Sequence, residues 1–323
     1  MRRRARAPAR PEETVAKSRT KGRPLNGWLV VDKPSGMTST DVVNRVRRLL
    51  DARKVGHGGT LDPLATGLLP LAFGEATKTV AYVMDGDKTY RFTVRWGQAT
   101  DSDDAEGALL DERAERPDRA AIEAVLPRFV GEIDQVPPIY SAIKVDGQRS
   151  YDLARDGTAK PLSARKVRID RFALVDLPDP DHGVFEVDCG KGAYMRSLAR
   201  DLGEALGCLG HISQLRRLAV GPFTEKDAIS LDTLGANTDS ARPEELLLPV
   251  ETALDDIPAL ALTEAEASRL KSGQAISMLV RSSAERIRHL EPGDIVCAMC
   301  GGKPVAISRF EAGELRPIRV INL

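Results

Sequence analysis

Between Lys54 and Lys78 the chain reads KVGHGGTLDPLATGLLPLAFGEATK, and this stretch narrows the possible folds more than any other. Glycine admits backbone conformations that other residues resist, while proline fixes φ and removes a hydrogen-bond donor. Here both alternate with strong hydrophobes, so the segment is neither a regular helix nor a free surface loop. A rigid Gly-rich loop, a Leu-Asp-Pro turn and an apolar run are expected, seated on a core.

The flanking sequence gives the fold class. NGWLVVDKPSG reads as a short apolar strand closed by a Pro-Ser-Gly turn. Thr38, Ser39, Thr40 and Asp41 supply capping side chains. Behind them Val42, Val43, Val46, Leu49 and Leu50 recur at helical spacing, with Arg45, Arg47 and Arg48 on the polar face. YRFTVRW at 90–96 alternates as a strand, the acidic stretch from Thr100 to Asp118 reads as a surface loop, and residues 119–130 read as a helix. Strands are expected again at 166–174 and 184–189, and MRSLARDLGEALG is an amphipathic helix capped by Gly207. Strands mixed with scattered helices and no βαβ repeat make the class α+β.

The chain has 323 residues, 42% of them apolar, enough to bury a substantial core and to divide into one large domain and one small one. Composition changes near Leu248, where a Pro-bounded linker and a short helix precede DIVCAMC, PVAISRF and IRVINL. These segments, separated by turns, read as a small β-barrel, a unit that commonly binds nucleic acid. Lys plus Arg equals Asp plus Glu at 47 each, so attraction to a polyanion depends on where the charges lie. The first 24 residues hold seven Arg and two Lys against two Glu. They read as a disordered basic tail, either a passive extension or one that adds affinity for RNA phosphates.

No apolar run approaches the ~20 residues needed to span a bilayer, so a soluble cytoplasmic protein is expected. Cys297 and Cys300 form a C-x-x-C with His289 nearby, but no second such pair completes a zinc site. A strand there would also send the two thiols to opposite faces. No metal is expected, and the four cysteines read as reduced thiols.

Residues 56–70, GHGGTLDPLATGLLP, closely resemble the active-site loop of the TruB family of pseudouridine synthases. Four further segments agree in order: DKPSGMTS at 32–39, DKTYRF at 87–92, VPPIYSAIKVDGQRSYDLAR at 136–155, and KGAYMRSLARDLG at 191–203 followed by QLRRLAVGPF at 214–223. The resemblance covers most of residues 25–225. It implies a pseudouridine synthase fold, with a central mixed, mainly antiparallel sheet flanked by helices, plus a small C-terminal PUA-like β-barrel. Implied boundaries are 25–250 for the catalytic domain, with an RNA-clamping insertion at about 100–165, and 251–323 for the PUA-like domain. The implied substrate is uridine 55 in the T-arm of tRNA, recognised mainly by shape. No cofactor, no membrane, no obligate protein partner and a monomer are expected. A tRNA-folding chaperone with secondary catalysis and a guide-dependent relative acting on ribosomal RNA are the alternatives.

The chemistry selects the residues. Making pseudouridine means breaking an N-glycosidic bond, turning the uracil and rejoining it through carbon 5, which a carboxylate nucleophile can hold in one place. Asp62, between Leu61 and Pro63 in a loop with Gly58, Gly59 and Gly67, is the candidate. An Asp before Pro is by itself an ordinary turn residue; the resemblance makes it a nucleophile, attacking either carbon 1′ of the sugar or carbon 6 of the base. In the family an arginine at the position of Arg196 pairs with it, and that cation is expected to lower its pKa. Tyr90 is expected to stack on the flipped base and to assist proton transfer at carbon 5. His57 corresponds to the residue that fills the vacated space in the RNA, and Tyr194 and Leu215 to positions lining the uracil pocket. Lys33 reads either as a backbone-phosphate contact or as an ordinary surface lysine. Arg216 and Arg217 are further phosphate candidates.

Overall fold

The computed structural model describes residues 22–141, 143–145, 148–149, 162–237, 242–279 and 285–323. The tail up to residue 21 and residues 142, 146–147 and 150–161 of the expected RNA-clamping insertion therefore lie outside the described residues. Arg23, expected in the tail, pairs instead with the backbone around Ala52.

The chain opens with β1 (Gly27–Lys33), α1 (Ser39–Leu49), β2 (Val55–His57) and β3 (Thr66–Phe73). A capping box starts α1: the Thr38 side chain accepts from the Asp41 amide, and the Asp41 carboxylate accepts from the Thr38 amide. Val42 and Val46 face inward as the periodicity requires. Next come α2 (Val80–Asp85), β4 (Lys88–Trp96), the two-stranded pair β5 (Gln98–Thr100) and β6 (Leu109–Glu112), α3 (Arg119–Val125) and β7 (Gly131–Gln135). A small hairpin, β8 (Lys144–Val145) and β9 (Gln148–Arg149), precedes β10 (Arg165–Asp179), β11 (His182–Cys189) and α4 (Met195–Ala205). The large unit finishes with β12 (Gly210–Val220), β13 (Phe223–Thr224), β14 (Ala228–Ser230) and α5 (Leu231–Asn237).

Ten of these strands form one sheet, in the order β14-β1-β3-β12-β4-β11-β10-β7, with β2 added to β3 and β13 to β12. The β1–β14 and β3–β12 pairs are parallel and the rest antiparallel, so the sheet is mixed but mainly antiparallel. Alternation along a strand sends successive side chains to opposite faces. On one face Leu29, Val31, Leu69, Phe92, Phe185 and Val187 pack against α1 and α4. On the other, Trp28, Val30, Leu68 and Ala72 meet Val83, Phe223 and Val250.

The second unit is a five-stranded curled sheet made of β15 (Ala259–Ala261), β16 (Ile276–Ser277), β17 (Ile295–Cys300), β18 (Lys303–Glu311) and β19 (Glu314–Val320). Its order is β15-β17-β18-β19-β16, a half-barrel whose end strands do not pair with each other among the described residues. The helix α6 (Glu264–Lys271) lies against it and buries Ala267 and Leu270 in its core. The expected strand does separate the two thiols: Cys297 enters the core shared with the large unit, and Cys300 packs against the half-barrel's own core. The two units share more than that core. Lys78 Nζ donates to the Val320 carbonyl at 2.7 Å, and the Asn322 amide to Glu75 Oε2 at 2.6 Å.

Candidate active site

The Gly-rich loop between β2 and β3 is held from several sides. The Ser39 hydroxyl, at the start of α1, donates to the Leu61 carbonyl at 3.1 Å and accepts from the Leu61 amide at 2.9 Å. Ser35 donates to Leu64, and the Gly36 amide to the Pro63 carbonyl. Leu61 and Ala65 are buried beneath. At Gly67, where φ is +93°, a Cβ would stand 2.2 Å from the Arg217 carbonyl, so only glycine lets β3 approach β12 here. Asp62 is the turn residue this framework presents.

Its partner comes from the far side. Arg196 lies in the first turn of α4, whose start is gripped by the end of β7. Gln135 exchanges two hydrogen bonds with the backbone of Tyr194, at 2.8 and 3.1 Å, and Ser197 donates to the Val136 carbonyl. Arg196 is buried; its Nη1 donates to the Ser102 carbonyl at 3.0 Å and its Nη2 to the Tyr140 carbonyl at 2.7 Å. That leaves Nε facing Asp62 Oδ2 at 3.0 Å, an ion pair although the N–H is not aimed along that line.

Asp104 stands on the same edge, its Oδ2 3.8 Å from Nε and its Oδ1 accepting from Ser102 Oγ and the Glu106 amide. These groups line a cleft of about 410 Å³ together with Pro63, Gly107 and Ala108, a size typical of small-molecule sites.

The cleft sets the charge state of Asp62. Although 37% of its side-chain surface is open to the cleft, protein surrounds the carboxylate, and the resulting desolvation pushes its pKa up. Arg196 opposes that rise, as does Lys33, while Asp104 adds to it. The cation lowers the Asp62 pKa as expected, but burial is the larger effect and the net direction is upward.

Tyr90 lies near the start of β4 and Tyr194 just before α4, and the Asp62 charge acts on both hydroxyls. Burial raises both phenols, and Arg217 works against the rise at Tyr90. Leu215 and Arg217 stand opposite Phe92 and Tyr90 in the β12–β4 register, with Leu215 almost fully buried in the core. His57 is held where β2 meets β3, half-buried, its Nδ1 without a partner among the described residues. Burial and then Arg217 depress its pKa, favouring the neutral imidazole.

Two assignments change. Lys33 is 0% exposed and donates to three carbonyls, Pro34 at 2.9 Å, Met37 at 2.7 Å and Pro63 at 3.1 Å. Its ammonium is inside the protein, where no phosphate reaches; it pins the turn after β1 to the nucleophile loop. Burial lowers its pKa to about 8, with Asp62 and Glu106 acting the other way. Arg217 is likewise interior, 1% exposed, while Arg216 is held by Asp32 and Glu225.

Asp104 is the residue that sequence reasoning missed. It lies in the acidic stretch read as a surface loop, yet it is 4% exposed, clasped to β12 by the hydrogen bonds of Ala105 to Ile212 and of Ile212 to Asp103. The signal lay in Ser102, which flanks it and can satisfy a buried carboxylate. Among the described residues no group of three or more His, Cys, Asp or Glu is placed to hold a metal ion.

Residues 47–195 match the family described as TruB family pseudouridylate synthase (N terminal domain), and residues 196–255 match the tRNA pseudouridylate synthase B C-terminal domain. A protein of Rhodospirillum rubrum named tRNA pseudouridine synthase B is 58% identical over 94% of this chain and 99% of its own length. The chain belongs to the TruB family of pseudouridylate synthases. A second relative of the same name, from Gluconacetobacter diazotrophicus, is also 58% identical over 94% of this chain. Among solved structures, a chain in the crystal structure of a Cbf5-Nop10-Gar1 complex superposes with a TM-score of 0.72 over 96% of this chain and 92% of its own. Their sequence identity is 23%, so the shared property is the fold. As a TruB family member, the chain has its candidate nucleophile inside the first matched region and Arg196 at the start of the second.

Proposed function

We propose that this chain isomerises uridine to pseudouridine at position 55 in the T-arm of tRNA, with Asp62 as the nucleophile. The observation that carries the reading is the Asp62–Arg196 pair, 3.0 Å apart in a cleft open to solvent on one side. The name tRNA pseudouridine synthase B, borne by relatives 58% identical over 94% of the chain, supports the substrate.

A uridine reaches the cleft only after leaving its stack, and Tyr90 offers its ring to the flipped base. His57, kept neutral, occupies the gap left in the RNA. Asp62, ionised beside Arg196, either attacks carbon 1′, where the bond to uracil N1 breaks, or adds to carbon 6, after which that bond breaks; carbon 5 of the turned base then bonds to carbon 1′ and the Asp62 linkage is released. Tyr194 and Leu215 shape the pocket wall. Once carbon 5 is joined to carbon 1′, the proton on carbon 5 leaves to the Tyr90 oxygen, and the bonding pair returns to the ring. Lys33 contributes by holding the loop, not by meeting RNA. We take residues 251–323 as the PUA-like unit that adds contact with tRNA, and the chain as a cytoplasmic monomer that acts without a protein partner.

The test is incubation of the purified chain alone with an unmodified tRNA transcript and mapping of pseudouridine. Conversion at position 55 is expected, lost in Asp62→Asn with tRNA affinity within a few-fold. Turnover by Asp62→Asn, or modification elsewhere, sinks the reading.

A further inference from the structure

The sequence offered Arg217 as a surface phosphate contact, and the structure buries it between the two halves of the site. On β12 it stands opposite Gly67 of β3 on one side and Tyr90 of β4 on the other. Its Nε donates to the Leu68 carbonyl at 2.8 Å and its Nη2 to the Gly59 carbonyl at 3.2 Å. It faces Tyr90 across the strand pair, and its charge acts on the Tyr90 hydroxyl and on His57. Its neighbour Arg216 has two carboxylate partners, Asp32 and Glu225, but no carboxylate pairs with Arg217 among the described residues. A buried cation without a counter-ion is costly, and two carbonyl acceptors offset only part of that cost. An isosteric apolar residue would fill the space without it. The charge itself therefore has a use.

We propose that Arg217 is a positioning residue for proton removal at carbon 5: its fork holds the Gly59 turn of the nucleophile loop across from Tyr90, and its unneutralised charge stabilises the phenolate. This rests on the reading of Asp62 and Tyr90 given above. Asp62 is three residues from Gly59, so one guanidinium sets the spacing between nucleophile and base. In the step concerned, the Tyr90 phenolate takes the carbon 5 proton and becomes phenol, the carbon–hydrogen pair re-forms the ring double bond, and water later removes the proton. Arg217 neither gains nor loses one. Its role is to make the phenolate accessible in a site where burial disfavours it.

Single-turnover rates at saturating tRNA transcript, measured across pH, test this in wild type, Arg217→Lys and Arg217→Met. In wild type the rate rises with pH as the phenolate fraction grows. Arg217→Met is expected to move that limb upward by about one pH unit or more and to slow the reaction at pH 8 by about 10-fold or more. Arg217→Lys, which keeps the charge but loses the fork, moves the limb by less, and Kd for tRNA stays within threefold in both. If Arg217→Met does not fold, the limb of Arg217→Lys decides. An unmoved limb, or a loss that appears in Kd, overturns the proposal. Asp62→Asn measured alongside separates this from failure of the function: activity there defeats the nucleophile, whereas an unmoved limb with an inert Asp62→Asn defeats only the role of Arg217.

Discussion

Arg196 meets Asp62 at 3.0 Å with both of its terminal nitrogens already committed to carbonyl oxygens, those of Ser102 and Tyr140. The cation is thereby fixed before any RNA arrives, and its position depends on two loops distant in sequence. Lysine has no planar fork with which to hold three acceptors. Arg196→Lys is expected to slow single-turnover conversion by about 100-fold, on the order of 3 kcal/mol, while Kd for tRNA changes little. A rate within threefold of wild type would show that the fork is dispensable.

Asp62 must be ionised to attack, and its pKa lies above the usual carboxylate value of 3.8 because burial outweighs Arg196. Activity should therefore fall with pH along an acid limb displaced upward from that value. Asp104 contributes to the rise, so Asp104→Asn should move the limb to lower pH. A limb that stays fixed in this variant would separate the two carboxylates.

Lys33 buries an ammonium that serves three carbonyls. Lys33→Met leaves those oxygens unpaired, at roughly 1–3 kcal/mol for a buried acceptor, and should lower the urea midpoint accordingly. It should also leave the slope of log Kd against log salt unchanged, since no phosphate contact is removed. A shallower slope would return Lys33 to the surface role.

Asp103 adopts φ of +60° and pairs with Arg200 at 2.9 Å, yet burial lifts its pKa to about 6. Between about 4 and about 6 the folded protein holds a proton that the unfolded chain has lost, so this residue's contribution to stability falls as pH rises through that window. Asparagine tolerates the positive φ. Subtracting the pH–stability curve of Asp103→Asn from that of wild type should therefore leave a downward slope from pH 4 to 6. A flat difference would place the Asp103 carboxyl in water.

The parts of this molecule written in local pattern were legible before the structure. The strand at β1, the capped helix α1 and the helix over 195–205 follow from side-chain period and cap chemistry, which act within a few residues. The pairing of Asp62 with Arg196 came from motif resemblance, as their separation of 134 positions carries no local signal. What misled was charge. Lys33, Arg217 and Asp104 each look solvated because the groups that satisfy them lie on other elements: Pro63 for Lys33, Gly59 and Leu68 for Arg217, the backbone of β12 for the Asp104 loop. Burial of a charged group is decided by distant acceptors, and composition does not display them.

The seam between the two sheets bears on how the protein behaves as a material. Cys297, Ile307 and Ile321 share a cluster with Trp28 and Val83, and the latter two close on Gly58, where an added Cβ would come within 3.3 Å of Trp28 and 3.1 Å of Val83. Heat should therefore melt the molecule in one calorimetric transition, since unfolding either half opens the cluster they share. An RNA spanning both halves would meet a template of fixed length, not a hinged jaw.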